Sequence, residues 1–228
     1  MTAAMPGAAM LLGALFALDD AVCVSLLISE PVFAGALFGA VTGRFEAGVL
    51  CGALLQCVWI ATLRVGGVRP PEGWLAAVAA TSAAPAGLAF DHGAWLASES
   101  LAPALLWGVA CASAGAKLRA GLVRSIERGA DRAVARAVAG DLGAVNTLHR
   151  GAAALHLVRG ALAAFLAVAL GTRFAALVAP AGLLAPAGWI AFGLGCVALG
   201  QTSGRGARWT WGVGGLAGVA WAWWGGGS

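Results

Sequence analysis

The feature that most constrains this chain is how rarely charge interrupts it. Residues 1–18, 47–63, 73–90, 100–116, 174–204 and 209–228 carry no Asp, Glu, Lys or Arg. Only 11% of the 228 residues are charged and 61% are hydrophobic, with a mean hydropathy of +0.87. A soluble domain carries roughly a quarter charged residues, so this chain lacks the polar side chains to clothe a globule in water. A spanning helix needs about 20 mainly apolar residues. Lipid leaves only helices or closed barrels, because the backbone must satisfy itself, and continuous apolar runs exclude the ten-residue alternation of a barrel. The sequence therefore predicts an all-α, polytopic integral membrane protein, a single domain over 1–228.

Composition narrows the chemistry further. The cysteines (Cys23, Cys51, Cys57, Cys111, Cys196) stand singly in apolar context, with no CxxC or Cys/His cluster. They read as packing residues, and no metal or cofactor is expected. The net charge of +4 reports topology rather than nucleic acid, since no basic stripe is interleaved with aromatics. The N-terminal run has no basic region before it and leads directly into Asp19 and Asp20, which is not the pattern of a cleaved signal peptide.

Polar residues concentrate between Glu30 and Glu72. Pro31 suits the first position of a helix, and Gly35, Gly39 and Gly43 then follow at four-residue spacing, a face that another helix can approach closely. A second helix is expected from Glu46 to Leu63, with Gly48 and Gly52 repeating the strip. Gln56 lies ten residues beyond Glu46, about 15 Å along the axis, where an amide needs a partner or a cavity. Residues 64–73 (RVGGVRPPEG) are too rich in Gly and Pro to stay helical. The apolar run 73–90 is broken at Pro85, which suits a re-entrant segment or an interfacial loop. Asp19 and Asp20 belong either at a solvated helix end or in a protein-lined cavity, because a carboxylate at the bilayer centre costs about 2.5–3.5 kcal/mol.

A basic segment follows the run ending at Ala116. Arg124, Arg128, Arg132 and Arg136 recur every four residues, which predicts a cytoplasmic amphipathic helix within 117–147, closed by Gly140-Asp141-Leu142-Gly143. His149, His156 and Arg159 share helix-face spacing and read either as interface residues or as an inward-facing polar group. Two further spans follow, the first interrupted at Pro180 and Pro186, and Trp209, Trp211, Trp221, Trp223 and Trp224 suit a headgroup boundary. Counting full spans and broken hairpins together gives about six to eight membrane helices.

In order and spacing these stretches resemble the membrane IIC subunit of mannose/fructose/sorbose-type sugar phosphotransferase systems. The residues carrying the resemblance are Leu18-Asp19, Glu30-Pro31, the stretch 43–48 (GRFEAG), Leu55-Gln56, the stretch 66–72 (GGVRPPE), Ala130-Asp131-Arg132-Ala133, Gly140-Asp141, His149 and Arg159. The resemblance implies an inner-membrane complex with a IID subunit, an oligomer, and cytoplasmic IIA and IIB phosphocarriers. It also implies a hexose or amino-sugar substrate translocated through a path to which Gln56, Glu72, Gly66, Gly67, Pro71, Asp19, His149 and Arg159 contribute. No catalytic residue of its own is implied, because the phosphoryl group comes from IIB.

The chain departs from that family where charge matters. Gln56 stands in place of a carboxylate, Glu72 in place of Asp, Glu30 in place of Arg, and Arg44 in place of Asp. Glu30 and Arg44 then complement the dipole of the helix between them, by about 0.3–1 kcal/mol each. A non-transporting membrane partner of phosphotransferase proteins is the alternative these departures leave open.

Overall fold

The computed structural model describes residues 4–21, 26–60, 72–85 and 101–178. The described residues form six helices and no strand: α1 (Ala4–Ala21), α2 (Pro31–Thr42), α3 (Phe45–Ile60), α4 (Gly73–Ala83), α5 (Leu101–Val138) and α6 (Gly143–Val178). The C-terminal spans, Pro180, Pro186 and the tryptophan cluster lie outside the described residues.

The glycine strip does what its spacing predicts. Helices α2 and α3 form a tight antiparallel hairpin in which Gly35 faces Gly48, and a Cβ on either would collide with the other's carbonyl oxygen. Gly43 ends α2 in the left-handed region (φ 71), and the Arg44 amide returns to the Gly39 carbonyl at 2.6 Å. Only glycine adopts that backbone without strain, and the backward bond caps the helix. At 12 residues α2 is about 18 Å long, short of a hydrocarbon layer of about 30 Å.

Helix α4 is shorter still, 11 residues, and every one of them is buried. A helix apolar on all sides belongs in a core, and α4 packs against α2, α3, α5 and α6. Thr81 and Ser82 donate their hydroxyls to the Ala77 and Ala79 carbonyls, both at 2.7 Å, so they bury no unpaired group. The helix stops just before Pro85, as the sequence predicts.

Helices α5 and α6 correct one expectation. The basic segment is not a separate amphipathic helix: α5 runs unbroken for 38 residues from apolar Leu101 through the arginine series to Val138. No proline follows Pro103 in its first turn, and interior glycines alone cost too little to break a packed helix. Gly140 (φ 100) and Asp141 then turn the chain, with Asp141 accepting from the Ala144 amide and pairing with Arg136 at 2.6 Å. The 36-residue α6 returns antiparallel, and Trp107 stacks on Phe174 with centroids 5.2 Å apart. Among the described helices α6 alone is long and apolar enough to cross a membrane by itself.

The two ends of this hairpin differ. Its apolar end packs on α4 and on α1, whose Gly13 meets Gly160 of α6 backbone to backbone. Between residues 120 and 155 only Ala133 and Ala144 are buried.

Candidate functional site

Four elements converge on one carboxylate. Glu72 is the residue before α4, with an extended backbone, and is 1% exposed. Its Oε1 accepts from Arg159 Nη1 of α6 and lies 3.7 Å from Arg119 Nε of α5. Arg119 Nη1 pairs in turn with Asp20, at the end of α1. The fit depends on Gly115, one turn before Arg119: a Cβ there would sit 2.6 Å from Glu72 Oε2. Buried charges persist only when paired and hydrogen-bonded, and this chain places two carboxylates against two guanidinium groups. The positive end of the α4 dipole favours the Glu72 carboxylate as well.

The network is not saturated. Glu72 Oε2, Arg159 Nε and Nη2 and the indole nitrogen of Trp74 are buried and have no hydrogen-bond partner among the described residues. Buried polar atoms in native folds are nearly always satisfied. These atoms therefore offer one acceptor and three donors to a polar guest.

A second polar group lies beside the first. Gln56 of α3 donates to Glu30 Oε2 at 3.0 Å and accepts from the Val32 amide at 3.4 Å, so its amide ties α3 to the start of α2. One turn on, Trp59 and the Pro31 ring close over Gly73, next to Glu72; a Cβ on Gly73 would lie 2.9 Å from the Trp59 indole nitrogen. Asp19 works on the backbone: its two oxygens accept from the Leu26 and Ser29 amides at 2.7 and 3.0 Å. They hold a turn in which Leu27 takes the left-handed region (φ 63), costly for any residue with a Cβ.

Of the residues expected from the sequence, Glu72 and Arg159 therefore meet directly, Gln56 sits at the start of α2, whose Pro31 ring lies against Gly73, and Asp19 shapes the approach to α2. His149 is not brought to this group. It is exposed, ten residues before Arg159 and so about 15 Å further along α6, while His156 between them is buried. Gly66, Gly67 and Pro71 lie outside the described residues. Arg119 and Gly115 escaped the sequence reading, and Asp20, read together with Asp19 as belonging at a helix end or in a protein-lined cavity, was not among the expected site residues. Arg119 carried a signal, because it stands five residues before Arg124 and so falls off the four-residue register of the exposed series.

Arg44 corrects the dipole reading. Its backbone completes the cap of α2, but its guanidinium crosses to the end of α4 and donates to the carbonyls of Ser82 (3.0 Å), Ala84 and Pro85 (3.0 Å). The C-terminal dipole it neutralises is that of α4.

Short buried helices, a glycine-packed hairpin and a charged network inside an apolar bundle are features that helical membrane transport subunits share. The match to a family model is more specific: residues 5–197 fit the one described as the sorbose-specific IIC component of the phosphotransferase system, and the chain belongs to that family. The fold is shared with a cryo-EM structure of the mannose transporter ManYZ in complex with microcin E492, at 16% identity and a TM-score of 0.61, covering 100% of this chain and 81% of that one. A structure described only as a membrane protein is similar at 17% identity and a TM-score of 0.62, covering 96% of this chain and 87% of the other. No curated protein sequence matches the chain.

Proposed function

We propose that the chain is the sugar-translocating IIC subunit of a phosphoenolpyruvate-dependent, mannose-type phosphotransferase system in the bacterial inner membrane. It forms the sugar path with a IID subunit, and a cytoplasmic IIB protein, itself charged by IIA, supplies the phosphoryl group. The observation that carries this reading is the unsaturated Glu72–Arg159 pair at the buried start of α4. Sugar hydroxyls both donate and accept, so one hexose can satisfy the free carboxylate oxygen together with the unpartnered nitrogens. Glu72 and Arg159 are the contacts, Gln56 and Asp19 hold the surrounding backbone, and Gly66, Gly67 and Pro71 lead the chain into Glu72.

A second reading rests on Gln56. Its amide is already engaged by Glu30 and Val32, which favours a membrane partner that recruits phosphotransferase proteins without carrying sugar. Uptake of labelled hexoses and amino sugars decides between them, in cells expressing the chain with its cognate IID, IIA and IIB. Phosphoenolpyruvate-dependent uptake that Glu72→Gln abolishes is the expected result. Absence of uptake for every sugar, with IIB still retained at the membrane, selects the recruiting role.

A further inference from the structure

The free end of the α5–α6 hairpin is built differently from the rest of the molecule. Between its helices runs a groove of about 360 Å³, floored by small residues (Gly129, Ala133, Gly151, Ala152) and bracketed by Ile126 and Leu148. Arg132 and Arg136 stand on its rim, and Arg124 and Arg128 continue their line along α5, all four exposed. The series covers about 18 Å of helix axis. Arg124 and Arg128 spend hydrogen bonds on their own helix, to the Ala120 and Arg124 carbonyls, while Arg136 pairs with Asp141. Exposed cations including Lys117 and Arg150 outnumber Glu127, Asp131 and Asp141 here.

We propose that this groove docks an amphipathic, acid-flanked helix of a cytoplasmic protein partner. The small floor admits the apolar knobs of a third helix, in the helix-in-groove manner, and the arginines select a carboxylate-bearing flank. Geometry disfavours a lipid surface. Charge-free helix ends at Lys117, and α5 continues to Val138 for about 33 Å. With α5 along the membrane normal and the hydrocarbon edge at Lys117, most of the series stands more than one screening length, about 8 Å, from the headgroups. A second copy is disfavoured by charge, since its hairpin would bring the same arginines. The proposal is independent of which sugar, if any, the chain carries.

The test uses the full chain in neutral phosphatidylcholine nanodiscs. It is titrated with a fluorescent helical peptide of about five turns that has a leucine stripe and glutamate flanks, or with the same peptide carrying lysine flanks. We expect saturable, salt-sensitive binding of the glutamate peptide alone. Arg132→Glu with Arg136→Glu should weaken it by about tenfold and transfer the preference to the lysine peptide. Ala152→Trp, which fills the floor and keeps the charge, should abolish both. Equal binding of the two peptides, no binding of either, or a preference that does not invert overturns the proposal. A nitroxide at Val138→Cys, with the native cysteines replaced, covers the other occupants. Access to an aqueous nickel complex is expected. Shielding by anionic lipid, or spin–spin broadening between copies, overturns docking of a separate protein.

Discussion

At position 72 a carboxylate meets two guanidinium groups in a space that exists because residue 115 has no side chain. Removing one member of such a group costs more than the pair contributes, because the partner stays buried and uncompensated. Glu72→Gln should therefore destabilise the purified chain by about 3–5 kcal/mol, read as a fall in the thermal midpoint in detergent. Gly115→Ala brings a methyl against both Glu72 Oε2 and Leu75 Cδ2, each 2.6 Å from the new atom. The expected loss is about 1–3 kcal/mol. Because the two changes act on the same side chain, their combination should fall short of the sum. Strict additivity in the double variant would show that the methyl is accommodated elsewhere. Glu72 and Arg159 were legible in the sequence as polar residues near apolar helices. Gly115 was not, since a glycine inside a long apolar run looks the same whether it makes room for a carboxylate or for another helix.

At the scale of elements, local chemistry was the readable part. Proline at the start of α2, glycines every four residues and a break at Pro85 each act within a few residues of themselves. The structure shows all of them where the sequence predicts. What the sequence hid is where side chains reach after the chain folds back. Arg44 sits beside the end of α2, yet serves the end of α4, 38 residues later in the chain at its Ser82 contact. Likewise the change from apolar to basic composition at Lys117 suggests two segments, although nothing in the backbone interrupts α5. Exchanging the charges, Glu30→Arg with Arg44→Asp, should lower the thermal midpoint in detergent. It removes the acceptor of Gln56 and sets a carboxylate against three carbonyls that now receive a guanidinium. A rise in stability would mean that neither contact holds in solution.

Across the whole molecule, the polar network lies where the hairpin leaves the bundle, so Asp20, Glu72, Arg119 and Arg159 tie α1 and α4 to its base. By the positive-inside bias the hairpin tip is expected on the cytoplasmic side. A protease site inserted between Gly140 and Asp141 should then be cut in inside-out vesicles and spared in right-side-out ones; the reverse pattern would invert the assigned topology. The total burial of α4 bears on how such a chain is made. A segment of 11 residues preceded by a carboxylate has little to gain from lipid as it leaves the ribosome. Its neighbours on one side, α2 and α3, are synthesised before it, whereas α5 and α6, which supply both arginines, come after. Glu72 therefore meets its counter-charges only after α6 has been translated, which makes the burial of α4 a late event in assembly.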